Sequence, residues 1–256
     1  MIKGLYAAAS AMVAGMKRQN ALAHNIANLE TPGFRQILLA MDDWYVTPVT
    51  HATNEIQPGV GVNHYYKPGY LGLGTQTSPE IIDFSQGDVK VTNEELDFAI
   101  NGSGFFRLQT PDGVRYSRDG RFRRDANNTL VNVDGFKVLD VNGNAITLPQ
   151  GHVRVDEQGQ IFNQAGNQVA QIDLAVFEDP QNQLERDGLN TFKATAEPTA
   201  TDGGSIQQGS LEMANANVQQ LMTQMVIVNR AYEAAQKVVQ MQDDIVGKLI
   251  NNLNRL

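Results

Sequence analysis

The residues whose types could do chemistry form several clusters, and each lacks a part that its chemistry needs. Arg115, Arg118, Arg121, Arg123 and Arg124 are the one basic cluster, a composition that could hold a phosphate. Asp112, Asp119 and Asp125 interleave with it, so the segment is expected to form a solvated hairpin face with ion pairs rather than a nucleic-acid patch. Asp125-Ala126-Asn127-Asn128-Thr129 and Asp140-Val141-Asn142-Gly143-Asn144 open like calcium loops. The first has Leu130 where such a loop needs Gly and Phe136 where it needs a bidentate Glu; the second has Ala145 and Gly151 there. Turn chemistry is the better reading of both. Gly102-Ser103-Gly104 and Gly72-Leu73-Gly74 lack the third glycine of a dinucleotide loop, with Arg107 and Thr77 in its place. With no cysteine and only His24, His51, His64 and His152, thiol catalysis, Cys-ligated metals and disulfides are excluded and a His-built metal site has little to draw on. No nucleophile elbow, zinc-protease helix or P-loop occurs. The chain is expected to be neither an enzyme nor a cofactor or metal carrier.

What these residues do must therefore follow from the elements that carry them. The 256 residues carry a net charge of −8, which disfavours a nucleic-acid coat, and a 41% hydrophobic content, which still supports a core. Residues 3 to about 29 read as a helix with a 4-3 spaced seam of Leu5, Ala9, Met12, Met16, Gln19, Ala23 and Ile26, stopped by Pro32-Gly33. Val218, Leu221, Met225, Val228, Tyr232, Ala235, Val239, Gln242, Val246, Leu249, Leu253 and Leu256 form a second, longer seam, with Asn217 a candidate N-cap. Lys3 and the apolar residues after it resemble a secretory signal weakly, but the helical period runs past any cleavage point. No run is long enough to span a bilayer.

Between the helices, residues 36–84 are rich in Pro and Gly and read as an extended connector. From 85 to 205, Asn-Gly and Asp-Gly pairs separate short β-prone runs such as Phe98-Ala99-Ile100 and Phe105-Phe106-Arg107-Leu108, the texture of an all-β unit. The expected fold class is mixed, with segregated α and β parts: helical segments at 1–35 and 206–256, coiled-coil-forming and packed together, flank an inserted β domain. Residues 1–35 carry a net +3, residues 209–256 a net 0 and the middle −11. An acidic middle in water and nearly neutral ends against protein fit that partition. The seams exceed what one copy can cover, so other molecules are expected to meet them.

Four segments carry a family resemblance. Asn25-Ile26-Ala27-Asn28-Leu29-Glu30-Thr31-Pro32-Gly33-Phe34-Arg35 resembles the N-terminal signature of bacterial flagellar rod and hook proteins. Leu96 to Phe106 and Tyr116-Ser117-Arg118-Asp119-Gly120-Arg121-Phe122 are similar to their mid-chain motifs, and Gly209-Ser210-Leu211-Glu212, Asn215 to Val218 and Arg230-Ala231-Tyr232-Glu233 to their C-terminal one. Length and the single β region resemble the distal rod member or the member beneath it, and Thr-Pro-Gly-Phe leaves both open. The resemblance implies a structural subunit of the basal-body rod, a hollow helical polymer crossing the periplasm and transmitting torque from motor to hook. It implies partners in further copies of the chain, other rod and hook proteins and the type III export apparatus, with export lacking signal cleavage. It implies no cofactor, no nucleic acid and no membrane insertion. The expected assembly residues are Leu5, Met12, Met16, Ile26, Asn28, Thr31, Pro32, Gly33 and Phe34 at one end, and Val218, Leu221, Met225, Val228, Tyr232, Val239, Val246, Leu249 and Leu253 at the other. A hook or hook-junction subunit, or a peptidoglycan-active enzyme, is the alternative.

Overall fold

A computed structural model describes residues 2–43, 46–52, 65–72, 74–188, 190–199 and 203–253. The chain runs from helix α1 (Ile2–Ala27) through a β-rich middle with one short helix, α2 (Pro180–Gln183), to helix α3 (Val218–Leu253). It forms two compact units, each discontinuous in sequence. One comprises Met1–His24, Leu38–Glu80 and Gln219–Leu256, the other Asn25–Ile37 and Ile81–Val218.

The second unit is built on an eight-stranded antiparallel sheet. At its centre Phe105–Thr110 pairs with Gly113–Ser117 in a tight hairpin, Thr110 opposite Gly113. Gly113–Ser117 continues to Phe192–Ala194, and Phe105–Thr110 continues to Lys137–Val138 on its other side. Alternation along the central strand sends Phe106 and Leu108 into one apolar cluster with Phe98, Leu130, Ile146 and Ile161. Phe105 enters a second cluster with Tyr116, Phe177 and Phe192. The sheet thus has apolar cores on both faces.

One five-residue turn is used five times around the first cluster. It starts at Asp125, Asn132, Asp140, Asp156 and Asn163, and in each the first residue's N–H donates to the fifth residue's carbonyl while the fourth N–H returns to the first carbonyl. The fourth residue has positive φ in every case, at Asn128 (59°), Gly135 (89°), Gly143 (79°), Gly159 (76°) and Gly166 (82°). Asp140 Oδ1 accepts from the N–H groups of Asn142 at 2.9 Å and Asn144 at 2.7 Å. Asp125 Oδ1 accepts from Asn127 N–H. Carboxylates spaced like calcium ligands are thus engaged by the backbone of their own turns.

In the first unit, α1 and α3 run antiparallel. A Cβ added to Gly4 would lie 2.5 Å from Gln242 Nε2, and one on Gly15 would lie 3.8 Å from Tyr232 Cδ2. Extended segments belong to this unit too: Met41–Asp43 pairs with Thr75–Thr77, and Val46–Ala52 with Tyr65–Gly72. Among its described residues, the connector read from the sequence is therefore extended and in good part paired, and residues 53–64 of it lie outside the described residues. Thr75 N–H donates to Ser10 Oγ of α1 at 3.1 Å.

Candidate functional site

Residues 25–37 are the end of α1 and the turn after it, and they are held by side chains and backbone groups of the β-rich unit to which they belong. Asn25 Nδ2 donates to Ile37 carbonyl and Ile37 N–H donates back to Asn25 Oδ1, both at 2.8 Å. This closes the turn by imitating a strand pair. Helical bonding cannot continue through Thr31-Pro32, because Pro lacks an N–H and restricts the residue before it. Gly33 has φ of 69°, and a Cβ there would sit 2.3 Å from the Arg118 carbonyl carbon. Its N–H donates to Glu212 carbonyl at 2.7 Å. Asn190 Nδ2 donates to Pro32 carbonyl at 2.9 Å.

Beneath the turn lies a charged cluster closed to solvent. Glu212 forms ion pairs with Arg35 Nη2 at 2.7 Å and with Arg118 Nη1 at 3.1 Å, all three side chains being at most 3% exposed. Gly87 N–H donates to Glu212 Oε1 at 2.9 Å. Arg35 Nη1 donates to Ser85 carbonyl at 2.8 Å, and Arg118 Nη2 to Gly102 carbonyl at 2.7 Å. Burial, with Arg35 alongside, pulls the Arg118 pKa down to about 10 against the opposing pull of Glu212. Arg118 therefore stays cationic at neutral pH, and one carboxylate balances two guanidinium groups. A second layer surrounds this. Arg186 Nη2 donates to Arg35 carbonyl at 2.6 Å and its guanidinium lies 4.7 Å from the Phe34 ring centroid. Asn215 joins Gln36 N–H to the carbonyls of Asp83 and Ser85. Burial works against the Asp83 carboxylate, but bonds from Gln36 and Ser85 and the charge of Arg35 outweigh it and hold its pKa low.

Arg35, Arg118 and Glu212 come from three of the four segments on which the family resemblance rests. The signatures separated by 83 and 94 residues are thus one site in space. Sequence reading treated Arg118 as part of a solvated hairpin face, and this is corrected: Arg118 and Arg115 are buried, Arg115 against Asp187, and only part of the cluster, such as the Arg121–Asp119 pair, keeps some solvent contact. The reason is tertiary, since Glu212, 94 residues away, supplies the counter-charge. Interleaved Asp and Arg along residues 112–125 could not reveal it.

The expected assembly residues divide in two. Pro32, Gly33 and Phe34 are buried at the turn, and Thr31 and Asn28 are half-buried. They position the chain rather than meet solvent. On α1, Ala8, Ala14, Gly15, Ala21 and Leu22 form the covered side. Leu5 and Met16 face outward, and Met12 and Ile26 are half-buried. The seam of larger residues is rotated by about one residue from the covered side, because the small side chains allow the closer approach. On α3, Leu221 and Val228 are buried, Met225, Tyr232 and Val239 half-buried, and Val218 and Val246 exposed. The side chains of Leu249 and Leu253 lie outside the described residues. Among the described residues, no cluster of His, Asp or Glu could hold a metal ion, and no helix is long and apolar enough to cross a membrane.

These segments coincide with known family regions. Residues 5–35 match the family described as "Flagella basal body rod protein", residues 99–163 the "Flagellar hook protein FlgE/F/G D1 domain", and residues 207–253 the "Flagellar basal body rod FlgEFG protein C-terminal". The chain belongs to the flagellar basal-body rod and hook protein family. Among individual relatives, it is 32% identical to the flagellar basal-body rod protein FlgG of Borreliella burgdorferi, over 100% of both chains. It is 31% identical to the rod protein FlgF of Rhizobium meliloti, covering 99% of this chain and 98% of the relative. It is 30% identical to the flagellar hook-basal body complex protein FlhO of Bacillus subtilis, over 100% of both.

Proposed function

We propose that this chain is a structural subunit of the flagellar basal-body rod and that copies of it polymerise into a hollow, straight shaft carrying torque from motor to hook. The observation that supports this most is end-to-end similarity to rod proteins combined with apolar side chains left exposed along both terminal helices. In this reading the helical ends pack as coiled coils in an inner tube, the β domain faces outward, and residues 36–84 brace neighbours against sliding. The chain has no catalytic role. Its partners are further copies, other rod and hook proteins, and the type III export apparatus that delivers it. The buried Arg35–Glu212–Arg118 cluster acts indirectly, by fixing where each helix leaves the β unit.

The distal member is the preferred identity within the rod, with the member beneath it the near alternative. The full-length likeness to a hook-basal body complex protein keeps a junction subunit as the second reading. Electron microscopy of polymers grown from concentrated purified protein separates them. Straight tubes are expected for a rod subunit. Curved filaments place the chain at the hook, and the absence of any filament at high concentration contradicts the polymer reading. Zymography on purified cell wall is expected to show no cleared band.

A further inference from the structure

Arg154 is the one Lys or Arg between Lys137 and Arg186. Close after it, residues 158–172 hold five Gln and two Asn and no ionisable side chain, within a middle region whose net charge is −11. Arg154–Val155 pairs with Gln160–Phe162 in a small antiparallel sheet. Alternation turns Val153, Val155 and Ile161 into the first apolar cluster, so Arg154, Gln160 and Phe162 face outward. Arg154 and Phe162 are cross-strand partners, the first exposed and the second half-buried.

Two open grooves meet along this strand, and Arg154 and Asp156 line both. One, of about 630 Å³, runs past Phe162 and Gln164. The other, of about 540 Å³, runs past Asn101, Gln158 and Gln207. Among the described residues, the side chains of Asn101, Gln158, Gln164 and Gln207 make no hydrogen bond within the chain and Arg154 makes no ion pair, and all five are exposed. Three classes of ligand do not fit here. An extended peptide would add to the outer edge of the strand, but the edge is taken: Val153 N–H donates to Glu95 Oε1, Val155 N–H to Gln208 Oε1 at 2.9 Å, and Gln208 Nε2 to Val153 carbonyl at 3.0 Å. A nucleic acid needs a run of cations, and Arg154 stands alone. An apolar ligand needs apolar walls, and these grooves present amides.

A sugar chain does fit. An amide is at once donor and acceptor, as a hydroxyl is, so the free amides pair with a polyol in several orientations. The Phe162 ring offers an apolar surface for the apolar face of a pyranose. A lone guanidinium beside it selects a carboxylate, which it holds by two parallel bonds. We infer that this face binds a glycan whose sugars carry carboxylates, with a sugar ring on Phe162, a carboxylate on Arg154 and hydroxyl or N-acetyl groups on the free amides. A chain of net charge −8 repels a polyanion overall, so such binding comes from the site and not from bulk charge. The site lies wholly in the β-rich unit and needs no polymerisation.

NMR on the dilute, full-length chain tests this, following the backbone amides and the side-chain amides of Asn and Gln. The probes are hyaluronan tetrasaccharide, which alternates N-acetylglucosamine with a uronic acid, and chitotetraose, which has no carboxylate. The hyaluronan fragment is expected to saturate with a Kd of about 1 mM or below, its shifts confined to the residues lining the two grooves. Chitotetraose should bind the same residues about ten-fold more weakly, the share that a charge-assisted bond supplies. Arg154→Gln should erase that difference, and Phe162→Leu should weaken both probes. Arg123→Gln, which removes an exposed cation outside the grooves, should leave both unchanged. No saturable shift below about 10 mM, or shifts centred elsewhere on the surface, overturns the inference. So does equal affinity for the two probes, or an equal loss in Arg154→Gln and Arg123→Gln. Since no filament enters the measurement, every outcome leaves the polymer reading where it stood.

Discussion

Replacing Glu212 with Gln keeps shape and hydrogen-bonding capacity but removes the one negative charge between two buried guanidinium groups. The side chain is inaccessible, and its two ion pairs span 2.7 and 3.1 Å. Stranding a buried charge by deleting its partner costs about 3–5 kcal/mol. Against a total stability of about 5–15 kcal/mol, that is a large share. At about 2–4 °C per kcal/mol for a domain of this size, the midpoint of the β-rich unit should fall by roughly 6–20 °C. Near-ultraviolet circular dichroism and calorimetry on the full chain read this directly. Arg35→Gln is the internal comparison. It removes one of two like charges, leaves the Arg118–Glu212 pair intact and should therefore cost less than Glu212→Gln. A drop under about 2 °C, or the reverse order of the two variants, would refute the reasoning, because it would mean that the guanidinium groups are not held by that carboxylate.

Further outcomes follow from the same geometry. Gly33→Ala places a Cβ 2.3 Å from backbone at Arg118 with φ at 69°, where nothing can give way, so it should cost more than about 2 kcal/mol by thermal melt. Gly4→Ala meets only the end of the flexible Gln242 side chain and should leave the melt nearly unchanged. Asn25→Ala orphans Ile37 N–H and C=O and should cost about 2–5 kcal/mol, seen as rapid exchange of the Ile37 amide. Asp83 and Glu95 both have lowered pKa values: burial opposes ionisation in each, and is outweighed by bonds from Gln36 and Ser85 in the first and from Val153 and His152 in the second. Each depressed carboxylate stabilises the fold above its ordinary pKa, and that stability disappears as pH falls through the lower folded value. Stability should hold near neutrality and decline once pH passes below the ordinary values of 4.5 for Glu95 and 3.8 for Asp83, with a shallower slope in Asp83→Asn. Val228→Asp puts a charge at a site 3% exposed and should abolish motility while the β-unit signal in circular dichroism persists.

Helix limits were legible because periodicity and Pro-Gly punctuation are local: α3 begins beside Asn217, and α1 ends at Ala27, shortly before Pro32. The β turns were legible for the same reason, since Asp-Gly and Asn-Gly pairs carry their own backbone preference. The charged cluster was not. Arg35, Arg118 and Glu212 are unremarkable singly, and only the fold brings them within 3.1 Å. The seam on α1 lies about one residue from the covered side because it weights large apolar residues, whereas close helix approach selects Ala8, Ala14 and Gly15. A second, exposed apolar stripe on α3, made of Ile227, Ala231, Ala234, Val238, Met241 and Ile245, has a plain 4-3 spacing in the sequence. It was hidden by the first, whose members Val228, Tyr232, Ala235, Val239 and Gln242 alternate with it.

Hydrogen–deuterium exchange on the dilute chain and on its assembled form tests the central claim most directly. The β-rich unit closes its own cores and its charged cluster, so peptides from 81–218 should exchange alike in both states. The helices leave apolar side chains exposed, which in the proposed polymer other copies cover, so peptides from 2–24 and 219–253 should gain protection on assembly. Unchanged protection along both helices, with new protection appearing instead in the β-rich unit, would contradict the account.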